Sequence, residues 1–224
     1  PALVTGGDVQ SLPRPRPNRA ARFDGALDGE RLDDLALRPS GPDWSQGLAN
    51  AWTPGEDGAH DRLREFLETG LSTYDHDRDR PDLDGVSRLS AHLRFGEISP
   101  FRVWWAVRDA MARDEVPERS ADKFLAEIGW REFAHHLMFH FPDMATHGFQ
   151  PRFDTFPWRE DAPFETAWRR GLTGYPLVDA GLRQLWTTGW MHNRVRMVAA
   201  SCLVKHGLGD WRAGERWCWD TLVD

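Results

Sequence analysis

The chain has 224 residues, 40% of them hydrophobic and 28% charged, a composition that suits a globular domain large enough to bury a core. No apolar run approaches the ~20 residues that cross a bilayer, and the start, Pro1-Ala2-Leu3-Val4, does not read as a signal peptide. The formal net charge of −7 argues against a general nucleic-acid binder but leaves room for a local basic patch.

Cys202 and Cys218 are the only cysteines, too few for a disulfide framework and consistent with a reducing compartment. Without an initiator Met, the chain reads as beginning inside a longer protein. Twelve Trp stand against two Tyr. Core packing is the simpler reading for most of them; the alternative is that some stack on a planar cofactor or base, or carry electrons.

Residues 1–55 read as a mostly irregular interdomain linker. Pro13, Pro15 and Pro17 alternate with Arg14 and Arg16, which favours an extended, solvated strap, and only a short helix near 32–37 is expected. From about His60 the period becomes helical, with Leu63, Phe66 and Leu67. Residues 74–85 form a charged, Pro-containing loop. Ser99-Pro100 is a helix start, continued by Val103, Val107 and Met111. A long helix spans 120–139, with Phe124, Ile128, Phe133 and Leu137 as core candidates, and Pro142 ends that region. A loop follows at 148–163. Helices at 164–171, 176–188 and 193–206 come next, Gly207 closing the last as a C-cap, and a final helix runs from Trp211 to about Leu222. No alternating strand pattern occurs, so the fold class is all-α: a linker over 1–55 and a helical domain over 56–224. The apolar helix directly before Asp224 reads as truncation of a larger helical domain.

Four segments carry candidate chemistry. Tyr74, Arg78, Asp79 and Pro81 precede Gly85-Val86-Ser87-Arg88-Leu89-Ser90, where hydroxyls, backbone N–H groups and an Arg at a helix start suit a pyrophosphate. Taken alone, an ordinary N-cap beside a surface Arg is the simpler reading. Glu127, Trp130 and Arg131 share a helix face, which could recognise a nucleobase by its edge and plane or form a surface ion pair over a half-buried Trp. Asn193 and Met197 share another face and offer an amide and a soft thioether, although each alone is more readily structural. Trp158 and Trp211 read first as core residues, and Asp224 means little from spacing alone. Nothing suggests a metal site.

In order, these segments resemble the photolyase/cryptochrome family, most closely a class I cyclobutane pyrimidine dimer photolyase. The similarity covers roughly 52–224 and is strongest in SRLSAHLRFGEISP (87–100), WREF (130–133) and TGYPLVDAGLRQLWTTGWMHNRVRM (173–197). The resemblance implies a multi-helix domain that holds FAD, with its ring at the bottom of a cavity that receives a flipped-out pyrimidine dimer. Reduced anionic FAD is the active form, and electron transfer from its excited state splits the dimer, as in a deoxyribodipyrimidine photo-lyase. By the same resemblance Tyr74, Val86, Ser87, Arg88, Leu89, Ser90, Phe124, Arg131, Arg196 and Asp224 contact the cofactor. Val86 stands where the family commonly has Thr, and Asp224 is expected to pair with Arg196 near the ring. Glu127, Trp130, Asn193 and Met197 meet the dimer, Arg78 and Arg194 contact DNA beside Glu127, Trp130 and Asn193, and Trp158 and Trp211 belong to an electron-transfer chain.

The implied partner is dimer-containing DNA. The implied state is a monomer in a bacterial-type cytoplasm, associated with the nucleoid through DNA, with no membrane contact. An antenna pigment of folate or deazaflavin type is expected in an N-terminal domain outside the chain. Alternatives are a (6-4) photolyase, a cryptochrome that senses blue light without repair, and an isolated segment with no activity. His192-Asn193 and Met197 depart from the His residues common in (6-4) enzymes.

Overall fold

The structure is a computed structural model that describes residues 29–224. Pro13, Pro15 and Pro17 and the strap they suggest lie outside the described residues. The chain divides into two compact units, one ending at Ser45 and the other running from Gln46 to Asp224. In the first, Leu32–Leu35 makes one turn of 3₁₀ helix.

The second unit holds ten α-helices, and no strand occurs among the described residues. They are α1 (Gln46–Ala51), α2 (Glu56–Thr69), α3 (Tyr74–Asp77), α4 (Ser90–Arg94), α5 (Pro100–Ala112), α6 (Glu118–His140), α7 (Ala162–Arg169), α8 (Pro176–Thr188), α9 (Asn193–Ser201) and α10 (Trp211–Thr221). The compact unit thus starts ten residues before the expected boundary at 56, because α1 packs against α8 and Trp52 Nε1 donates to the Thr188 carbonyl at 2.7 Å. The signal at Ser99-Pro100 is realised in full: Ser99 Oγ accepts from Arg102 N at 3.1 Å, satisfying an N-terminal donor of α5.

Two hydrophobic clusters organise this unit. In the first, Leu63 and Phe66 of α2, Val103 and Val107 of α5, and Phe124 and Ile128 of α6 close around Leu71, Tyr74 and Leu89. In the second, Trp168 of α7, Val178, Leu182 and Leu185 of α8, and Val195 and Ala199 of α9 close around Met191 and Leu203. Buried Trp168 donates from Nε1 to the Ala199 carbonyl at 2.9 Å, which satisfies its one polar atom.

Two expected core contacts on α6 are corrected. Phe133 is 43% exposed and Leu137 only half-buried. Nine residues at ~3.6 per turn is two and a half turns, so Phe133 lies opposite Phe124, and Leu137 is also turned away from that face. Gly207 does follow α9, but not as a left-handed cap: its φ is −81°, and it closes a π-helical turn, Cys202–His206, by donating to the Cys202 carbonyl. What requires glycine there is proximity, since a Cβ would lie 2.1 Å from Phe164 Cε1. The left-handed cap occurs instead at Gly189, φ 69°, after α8.

Helices α8 and α9 approach closely at Gly181, where a Cβ would lie 2.3 Å from Val195 Cγ1. Val is stiff at χ1 and cannot swing away. Gly181→Ala is therefore expected to destabilise the domain by about 1–3 kcal/mol, read as a lowered thermal midpoint, whereas an unchanged midpoint would show that the α8–α9 contact can open without cost.

Candidate functional site

A cavity of about 750 Å³ lies between the two clusters. Its wall takes Tyr74, Leu89, Leu93, Phe124 and Ile128 from the first cluster and Met191 from the second. Polar groups from distant segments fill the remainder: Arg78, Ser87, Arg88 and Ser90, Glu127 and Arg131, His192 to Arg194, Arg196 and Asp224. This size is in the usual range for a ligand site, roughly 300–1,000 Å³.

The 86–90 run enters the wall in a strained conformation. Arg88 has φ 50°, rarely populated by residues with a Cβ. Its guanidinium lies over the Trp190 ring, 4.6 Å from the centroid, and its Nε is 3.2 Å from Asp84 Oδ1 at an angle that makes no hydrogen bond. Ser87 Oγ accepts from Leu89 N at 3.4 Å, and Ser90 opens α4. Val86 packs against the first cluster, and its carbonyl accepts from Arg62 Nη2 at 3.0 Å.

At the opposite side, Arg196 Nε donates to the Met191 carbonyl at 2.7 Å, and Nη2 donates to Asp224 Oδ2 at 2.6 Å. The Asp224 side chain is 8% exposed. The chain end is held in place because Val223 N donates to the Gly189 carbonyl at 2.9 Å. Three buried polar atoms around the cavity have no hydrogen-bond partner: Arg88 Nε, His192 Nε2 and Asp224 Oδ1. Such atoms are costly unless a ligand or water completes them.

The rim is a chain of charges. Arg78 Nη2 lies 2.7 Å from Glu127 Oε1. Arg78 Nε is 3.6 Å from Asp79 Oδ1, which accepts from Arg194 Nε at 2.6 Å. Arg194 Nη1 reaches Met197 Sδ at 3.7 Å. Glu127 thus pairs across the cavity with Arg78, not along its own helix with Arg131. Arg131 pairs instead with Glu132 at 2.7 Å and donates to the Leu93 carbonyl at 3.4 Å.

Three of the four residues expected to meet a lesion are exposed, and two of those lie outside the wall. Trp130 is 60% exposed and packs edge-on against Phe133, with 5.7 Å between centroids. Met197 is 56% exposed. The wall uses Glu127, Ile128, Arg131, Ala134, His135 and Met138, a stripe that leaves Trp130 on its flank. Exposed Asn193 lines the wall directly.

Trp158 and Trp211 are also outside the wall. Trp158 packs on Phe156 at 4.5 Å and leaves its buried Nε1 unpartnered. Trp211 begins α10, lies under the Arg212 guanidinium at 4.8 Å and lines a smaller apolar cavity of about 240 Å³.

Trp190, Met191 and His192 also line the cavity, beyond the residues that spacing marks within 173–197. His192 Nδ1 accepts from Arg194 N at 3.2 Å and so caps α9. Burial lowers the His192 pKa, which favours the neutral imidazole that the acceptor role needs.

Among the described residues no cluster of three or more His, Cys, Asp or Glu could hold a metal ion, and no helix is long and apolar enough to cross a membrane.

An all-α domain with a polar cavity between two cores is the class that fold and site define. The family model "FAD binding domain of DNA photolyase" matches residues 124–224. The deoxyribodipyrimidine photo-lyase of Agrobacterium fabrum is 49% identical over 195 residues, 87% of this chain and 40% of that protein. Cryptochrome-2 of Arabidopsis thaliana is 43% identical over 198 residues, 86% of this chain and 32% of the relative. The crystal structure of a bacterial class III photolyase from Agrobacterium tumefaciens superposes with a TM-score of 0.85 at 47% identity, covering 90% of this chain and 41% of that one. The chain belongs to the photolyase/cryptochrome family and carries sequence of its FAD-binding domain. It spans less than half the length of these relatives.

Burial, and next the negative charge of Glu127, push the Tyr74 phenol up to about 12. A folded-state pKa above the unfolded value of ~10 gives stability that is present below pH 10 and lost as the pH rises towards 12. Urea midpoints should fall across that interval in the wild type and fall less steeply in Tyr74→Phe; parallel profiles would show that Tyr74 is not buried beside Glu127.

Proposed function

We propose that the cavity binds FAD and that the protein to which these residues belong repairs cyclobutane pyrimidine dimers in DNA under light. The observation that carries this reading is convergence. Tyr74, Arg78, Ser87, Arg88, Ser90, Phe124, Glu127, Arg131, Asn193, Arg196 and Asp224, far apart in sequence, meet in one wall, and the family resemblance names each of them.

The residues present fit the cofactor. Ser87, Arg88 and Ser90 offer hydroxyls and a cation at a strained turn, which suits a pyrophosphate. The unpartnered Arg88 Nε and Asp224 Oδ1 are a donor and an acceptor that a polar ligand would complete. Phe124 and Tyr74 supply aromatic wall, and Arg131 adds a second cation. Once bound, the cofactor supplies light-driven donation of one electron and accepts its return.

The chain's own side chains do the rest. Arg196, fixed by Met191 and Asp224, would supply a cation that favours the anionic state of a bound reduced flavin. Glu127 hydrogen-bonds the flipped base, a preorganised polar contact that costs no rearrangement of its helix. Trp130, on the flank of the wall, stacks on the lesion from outside, and Asn193 meets its edge. Arg78 and Arg194 engage phosphates. A dimer stacks poorly in the duplex, so it flips at low cost.

Trp158 and Trp211 serve electron transfer towards the cavity. The likeness to the class III photolyase of Agrobacterium tumefaciens favours that class over class I. A cryptochrome is the second reading, favoured by the identity to the Arabidopsis protein. Retention of Glu127, Trp130, Asn193 and Met197 supports repair over sensing.

Repair of a dimer-containing oligonucleotide is expected only under illumination. Glu127→Ala should lower the repair yield several-fold with flavin content unchanged. No light-dependent repair by the wild type would overturn the enzyme reading in favour of sensing, and equal yields in wild type and variant would remove Glu127 from the mechanism.

A further inference from the structure

Asp79 belongs to none of the roles above, yet it sits at their junction. It follows Arg78 directly at the end of α3, and its Oδ1 lies 3.6 Å from Arg78 Nε and 2.6 Å from Arg194 Nε. One carboxylate thus joins two guanidinium groups that are 116 positions apart in the sequence. We propose that Asp79 is a specificity-determining residue that stands in for a DNA phosphate, occupying Arg194 and Arg78 in the free protein so that undamaged DNA must displace it. This rests on the reading that the two arginines face DNA.

Three features support a competitor over a mere support. First, a carboxylate and a phosphodiester offer a guanidinium the same paired anionic oxygens, so both cannot hold Arg194 Nε at once. Second, Asp79 and Arg194 are both substantially exposed, so the pair can open into solvent without breaking the core, and exposed pairs of this kind are weak. Third, Arg194 does not need Asp79 for its place. Its backbone N–H is held by His192 Nδ1 at 3.2 Å, and its Nη1 lies along α9 against Met197 Sδ at 3.7 Å.

The chain of pairs also explains why the penalty would fall on undamaged DNA. Asp79 and Glu127 share Arg78. A flipped base that takes the Glu127 carboxylate releases Arg78, which then competes with Arg194 for Asp79 and loosens it. Undamaged duplex leaves Glu127 on Arg78 and must displace Asp79 unaided.

The test is binding of the protein to a labelled duplex with and without a single thymine dimer, by fluorescence anisotropy at several salt concentrations, for wild type, Asp79→Asn and Asp79→Glu. Asp79→Asn keeps the shape and removes the charge. It is expected to bind undamaged duplex roughly three- to fivefold tighter, the scale of an exposed ion pair, with a smaller gain for the dimer, so that discrimination falls. The slope of log K against log salt should stay as in the wild type, since both neutralise the same phosphates once Asp79 is displaced. Asp79→Glu should behave as wild type. Weaker or unchanged binding of undamaged duplex by Asp79→Asn, while the wild type prefers the dimer, would overturn this proposal alone and make Asp79 a positioning residue for Arg194. Failure of the wild type to bind either duplex would overturn both this proposal and the DNA-repair reading.

Discussion

The two hydrophobic clusters do not merge, and the site exists because of that separation. The first is built by α2, α5 and α6 and the second by α7, α8 and α9. What joins them is polar or aromatic: the Trp52 indole on the Thr188 carbonyl, the Arg88 guanidinium over Trp190, and Asp79 on Arg194. A merged core would have filled the gap with apolar side chains packed at crystal-like density. Here the gap is left as a cavity whose floor is apolar and whose rim is charged, a combination that holds a large amphipathic ligand and admits a polar one from outside.

Charge is handled by local pairing despite the acidic balance of the whole chain. Four of the six arginines that line the cavity (Arg78, Arg131, Arg194 and Arg196) have carboxylate partners within 2.7 Å. An acidic protein can therefore present phosphate-binding groups at one mouth without a basic face, since exposed pairs exchange partners at small cost. The Arg196–Asp224 pair differs in being the more enclosed: Asp224 is nearly buried, and losing its partner would leave an unmet charge in the wall.

Much of the fold was legible because the longer helices declare themselves by period and by start signals. Ser99-Pro100, the 176–188 stripe and the Trp211 helix follow directly from side-chain spacing. The short elements were not legible: α1, α3 and α4 have four to six residues, less than a stable isolated helix requires, and form because tertiary contacts hold them. Phe133 shows the opposite error, an apolar residue credited to a core that its helical phase turns it away from. At the site, residue types and order marked the segments, but partner choice was not legible. Spacing offered Arg131 to Glu127, whereas the fold delivers Arg78, and only the meeting of α3, α6 and α9 reveals Asp79 and His192 as members of the rim.

The central claim is that the gap between the two clusters is a flavin site. Its most direct test is the absorption spectrum of the purified chain after incubation with FAD and removal of free cofactor. The account predicts a structured flavin band that stays with the protein at about one cofactor per chain and is lost when Arg88 and Asp224 are replaced together. A colourless wild-type protein, with all the flavin in the free fraction, would contradict it.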